Sequence, residues 1–134
     1  MRTAALFTVL VTASAASHAV DINGYETFLK QSESREPSAQ PFVAKAFLKS
    51  YFIGMAETLQ FLQVGTQTIR MGERKFICFP PEIKISGELL EAILTSEIRR
   101  GDFYAEKYGP KWKEVSVSNY VGIGLARTFP CPSE

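Results

Sequence analysis

The chain has 134 residues, 46% of them hydrophobic and 22% charged, with a formal net charge of +1, one histidine and two cysteines. That length fits one small domain. The near-zero charge offers no basic excess for nucleic acid or an anionic membrane, and two cysteines 53 positions apart make a poor zinc site.

The chain begins "MRTAALFTVLVTASAASHAV". Arg2 is a short positive start, Ala4 to Val11 form an apolar run, and Ser17-His18-Ala19 fits a small-x-small cleavage pattern. This reads as a secretory signal peptide over 1–19, cut after Ala19 or after Ala16. The apolar run falls short of the roughly 18 residues needed to span a bilayer. The expected product is a periplasmic protein of residues 20–134, a single helical domain with no membrane attachment.

Cleavage after Ala19 removes Arg2 and leaves 14 basic and 14 acidic residues. It also removes His18, the sole histidine. Ser-His-Asp and Cys-His catalysis and His-based zinc sites fall away with it. Asp occurs only at 21 and 102, and no Gly-rich phosphate loop, Cys-x-x-Cys or G-x-S-x-G is present. A glycosidase built on Glu residues alone stays open, but no spacing here suggests one. The sequence points away from an enzyme and calls for no cofactor and no metal.

A short helix is expected at 21–31, capped by Asp21, with Tyr25, Phe28 and Leu29 on one face. Residues 32–41, with two prolines and no periodicity, read as a loop. The strongest helical signal is 42–63, where Leu48, Phe52, Met55, Leu59 and Leu62 form a stripe at three- and four-residue spacing. Val43, Phe47, Gly54 and Phe61 project from another side. A helix apolar on two sides is central in a bundle or half of a dimer contact. Gly54 costs about 1 kcal/mol relative to Ala in a helix interior, so close approach of another backbone is expected there.

The segment "KFICFPPEI" holds Cys78, and "TFPCPSE" holds Cys131. In an oxidising compartment two cysteines default to a disulfide, so Cys78 is expected to pair with Cys131; two buried free thiols are the alternative. Such a closure is worth about 4 kcal/mol in the loop-entropy picture. A lone strand at 76–79 is not stable by itself, so this region reads as a structured loop pinned by the disulfide. A helix follows at 86–100, capped by Ser86, with Leu89, Leu90, Ile93, Leu94 and Ile98 on its apolar face and Gly101 just past its end. Residues 101–115 form an aromatic, Lys-rich link. The last helix is expected at 116–129, with Val117, Tyr120, Val121, Gly124 and Leu125 facing inward and Gly122 and Gly124 allowing tight packing. The fold class expected is all-α, a small bundle of about four helices with one disulfide.

The order "YFIGMAETLQFL", "FICFPPEIKISGELLEAIL", "NYVGIGLARTFPC" resembles the Rap/Tai family of periplasmic immunity proteins. Tyr51, Gly54, Cys78, Pro80, Leu89, Leu125, Phe129, Pro130 and Cys131 fall on that family's pattern, which covers roughly 42–131. The 101–115 link is longer than the family's usual one. The resemblance implies a protein that binds and sterically blocks a cell-wall-degrading effector delivered by type VI secretion, often as a homodimer, without a cofactor. The partner would be a protein toxin.

The link is the contact favoured by residue type. Phe103, Tyr104, Tyr108 and Trp112 are kinds of side chain that anchor interfaces, with Asp102, Glu106, Lys111 and Lys113 as a polar rim. The competing structural reading has Tyr108 and Trp112 folded back over the helices as core. Other functional readings are a periplasmic acid-stress-type helical chaperone switched by carboxylates, a small hydrolase using Glu alone, and an exported helical protein of unknown partner.

Overall fold

The computed structural model describes residues 19–36, 38–63 and 67–132. Residues 1–18, which hold His18 and most of the signal peptide expected over 1–19, lie outside the described residues. Among them the chain forms five α-helices, one 3-10 helix and one two-stranded sheet. The fold is thus mostly helical, as expected, but not purely α.

Helix α1, Ile22–Glu33, starts where the Asp21 carboxylate accepts a hydrogen bond from the Gly24 N–H at 2.7 Å, satisfying one of the donors a helix start leaves open. Helix α2, Pro41–Leu62, begins on a proline, whose fixed φ suits a first turn. Ala44, Leu48, Phe52 and Ala56 form its buried line, with Met55 and Leu59 half-buried and Leu62 exposed. The buried stripe therefore turns toward two alanines that hydropathy weighs lightly, and away from the Leu62 end.

Strands β1, Thr68–Met71, and β2, Arg74–Cys78, pair antiparallel where a loop was expected. Gly72 sits at φ +62 in a two-residue turn with Glu73, the left-handed conformation a glycine-first hairpin turn requires. Gly72 therefore reverses the chain instead of only interrupting it, and β2 gains the partner that a lone strand lacks. Ile69 pairs with Ile77 and Arg70 with Lys75, so the register skips Phe76. That is a β-bulge.

Helix α3, Gly87–Ile98, begins where the Ser86 hydroxyl accepts from the Leu89 N–H at 3.2 Å. Gly101 does not follow a helix end as expected but opens helix α4, Gly101–Tyr108. Asp102 in the first turn and Lys107 in the last oppose its dipole. Gly109, at φ +76, ends α4 and leads into the 3-10 helix Pro110–Glu114. Helix α5, Val117–Thr128, buries Val117, Tyr120, Val121, Gly124 and Leu125, the face read from the sequence. Its start is tied to the N-terminal segment by the Val117 N–H donating to the Val20 carbonyl at 2.8 Å and by a bridge between Asp21 and Ser116.

The core lies among α2, α3 and α5 around Phe52, Leu90, Leu94, Val121 and Leu125. Gly124 is required there: an added Cβ would lie 2.5 Å from Ile93 Cγ2 and 2.9 Å from Glu97 Cγ. The tight packing expected at Gly54 and Gly122 is absent, since a Cβ at either meets nothing within 4 Å. Cys78 and Cys131 are joined, with Cα atoms 4.9 Å apart, well within the usual span. The bridge fastens the end of β2 to the segment after α5. Beside it the Cys78 N–H donates to the Phe129 carbonyl at 3.0 Å, and the Phe79 and Phe129 rings lie 5.1 Å apart.

Candidate functional site

The aromatic link divides between core and surface. Tyr104 is 1% exposed and Trp112 9%. Trp112 lies against Gly101, where a Cβ would come within 2.9 Å of its ring. Tyr104 packs edge-on against Tyr120 with centroids 4.6 Å apart, and the Tyr120 hydroxyl donates to the Trp112 carbonyl at 2.7 Å. The Tyr104 hydroxyl donates to Glu97, and Lys113 is held by both oxygens of Glu26 at 2.8 and 2.9 Å. Tyr104 and Trp112 are therefore packed within the core of the chain. Lys113 is spent within the chain.

The rest of the expected contact stays at the surface. Asp102, Phe103, Tyr108, Glu106 and Lys111 are exposed. The Lys107 ammonium lies 5.7 Å from the Phe103 ring centroid and 5.3 Å from that of Tyr108, and the Arg100 guanidinium lies 5.3 Å from Phe103. These cations lean on ring faces and fix the two aromatics at the surface.

Tyr108 opens onto a feature the sequence did not reveal. Between the hairpin and α5 runs an apolar cleft of about 390 Å³, walled by Met71, Phe76 and Tyr108 and floored by Gly122 and Ile123. A second hollow of about 370 Å³ adjoins it on the α2 side, where Met55 and Leu59 meet Ile69 and Leu125. Met71, Phe76, Ser118 and Gly122 line both, so the two hollows are neighbours across these residues. Alternation sets the hairpin wall: Ile77 turns into the core, so the adjacent Phe76 faces the other way and remains 37% exposed. Met71 is 63% exposed and Tyr108 50%. Gly122 acts here by leaving room above the helix rather than by packing against it. Burial first, and then neighbouring Tyr108, push the Tyr120 phenol below this floor above its ordinary value.

Such a groove can take up apolar side chains and supplies no nucleophile–base pair. No group of three or more His, Cys, Asp or Glu side chains gathers to hold a metal among the described residues. No helix among them is long and apolar enough to cross a membrane. The signal for the groove was in the sequence only as Gly72, which makes the hairpin, and as "KFIC", whose two adjacent apolar residues cannot both face inward on an unbroken strand. No protein-family model, curated protein or solved structure matches the chain.

Proposed function

We propose that this chain is an exported immunity-type protein of the Rap/Tai kind, which binds a cell-wall-degrading effector of type VI secretion and blocks it sterically. The groove between the hairpin and α5 is the contact in this reading. The observation that carries it is that Met71 and Phe76, on a hairpin cross-linked at its base by Cys78–Cys131, and Tyr108, at the end of α4, stand open around a bare glycine floor. Aromatic side chains on a rigid frame are good interface anchors, because they lose little conformational freedom when they bind, and methionine adapts its shape to the partner's surface. Support also comes from the export-type N-terminus and from the ordered pattern through Tyr51, Gly54, Cys78, Pro80, Phe129, Pro130 and Cys131. The protein acts by occupying its partner, with no bond made or broken.

The test uses the secreted toxin encoded beside this chain's own reading frame, titrated with the oxidised protein. The expected result is a tight complex and loss of the toxin's cell-wall hydrolysis. Met71→Glu with Phe76→Glu weakens the complex at least about 30-fold, the loss of one hot spot of about 2 kcal/mol. A folded double variant that binds as tightly as the parent removes the groove from the interface. A neighbouring toxin that is neither bound nor inhibited sinks the reading.

A further inference from the structure

The groove between the hairpin and α5 is lined by no charged side chain among the described residues, yet the charges around it are mostly of one sign. The hairpin carries Arg70, Arg74 and Lys75 against Glu73 alone. On the far wall the Lys107 ammonium lies 5.3 Å from the Tyr108 ring centroid. The floor has no acid: α5 reads VSNYVGIGLART, and its one charged side chain, Arg127, is taken by Glu97 on α3. Glu114, next in sequence to the lining residue Val115, is the nearest acid along the chain.

This sign is local. The expected processed chain is neutral, and its acids gather elsewhere. Helix α3 holds Glu88, Glu91 and Glu97 and no base, and α1 with its cap holds Asp21, Glu26 and Glu33 against Lys30. Ser118 and Asn119, in the first turn of α5, line the groove, so the positive end of that helix dipole opens onto it. No acidic side chain stands in that turn to offset it.

We propose that the groove selects an acidic, apolar segment of a partner protein: large apolar side chains enter between Met71, Phe76 and Tyr108, and carboxylates flanking them meet the hairpin arginines and Lys107. The inference rests on the contact proposed above and adds the chemistry of what fills it. The two halves of the segment do different work. Apolar side chains hold, because the groove takes their surface out of water. Carboxylates select, because exposed ion pairs are individually weak at equilibrium, while a field of one sign speeds encounter with the opposite charge and turns away a basic segment. A neutral apolar segment gains only the first of these effects.

Selection of a random peptide library displayed on phage, against the purified, oxidised chain, is the test. The expected peptides carry Leu, Met or aromatic residues flanked by Asp or Glu. As synthetic peptides they bind about tenfold or more weakly once their acids are replaced by the amides, and they weaken as salt rises from about 0.02 M to about 0.5 M. Selection on the triple variant Arg70→Glu, Arg74→Glu, Lys107→Glu loses the acidic preference. Gly122→Leu places a side chain where a Cβ meets nothing within 4 Å, so it fills the groove without lowering the thermal midpoint, and the same peptides bind it about tenfold or more weakly. An empty selection, enriched peptides with no acidic excess, or peptides that bind Gly122→Leu as tightly as the parent each overturn the proposal. The selection needs no toxin, so its failure is separate from that of the toxin titration: a toxin that still binds through the groove leaves the proposed function standing and removes this inference alone.

Discussion

Nη1 of Arg127 on α5 lies 2.8 and 2.7 Å from the two carboxylate oxygens of Glu97 on α3. Glu97 is 4% exposed, and it also accepts a hydrogen bond from the Tyr104 hydroxyl on α4. Three helices thus meet on one buried carboxylate. Removing the cation leaves a buried charge without its counterion, the costly way to break such a pair. Arg127→Met is expected to lower unfolding stability by about 3 kcal/mol, the lower end for buried pairs because the guanidinium is partly exposed. Adding Glu97→Gln recovers part of that loss, since the uncompensated charge is gone. Urea denaturation of the two single variants and the double variant checks the sign of the coupling.

The same network sets an alkaline limit. Burial first, and then its hydrogen bond to Glu97, push the Tyr104 phenol up to about 12 from 10.0. The folded state therefore holds a proton that the unfolded chain gives up. Stability from this group is complete below pH 10 and is lost as pH rises toward about 12. The expected outcome is a thermal midpoint that falls across that window in the parent and falls less in Tyr104→Phe, with phenolate absorbance following the same group.

Two glycines two residues apart on α5 respond in opposite directions. Gly124→Ala places a methyl 2.5 Å from Ile93 Cγ2 and costs about 1–3 kcal/mol by overpacking. Gly122→Ala meets no neighbour within 4 Å and raises stability by up to about 1 kcal/mol through helix propensity. Chemical denaturation of both variants gives the comparison, and equal effects would mean α5 is turned otherwise than described.

Opening the Cys78–Cys131 bridge by Cys131→Ser releases a closure across 53 positions. The loss expected is about 4 kcal/mol on the loop-entropy estimate. Because the hairpin is held at its base by this bond, its amide protons exchange fastest in the variant, while those of α3 keep their order. Hydrogen exchange read by mass spectrometry separates this local loosening from uniform destabilisation.

Caps and periodicity made much of this fold legible in advance. Asp21 and Ser86 start α1 and α3 as their residue types suggest, and all five residues assigned to the inner face of α5 are buried. The cysteine pairing followed from their number and the export-type start. The hairpin was not legible, because its first strand is four residues long and Gly72 reads equally as a break or as a turn. The aromatic link misled for a different reason. Residue type does not separate an interface anchor from a core ring; that depended on Glu97 standing ready for the Tyr104 hydroxyl and on Gly101 leaving room for Trp112. The groove needed both answers at once, since Phe76 comes from the hairpin and Tyr108 from α4.

The doubled residue opposite Arg70 has a consequence for how this chain can vary. Side chains in a ribbon take sides by counting, and here the pairing skips one residue, Phe76, between Lys75 and Ile77. A deletion within β2 would exchange their roles, turning an aromatic ring inward and an aliphatic one to the solvent. Length in this short ribbon is thus under tighter constraint for the fold than the identity of the ring at 76.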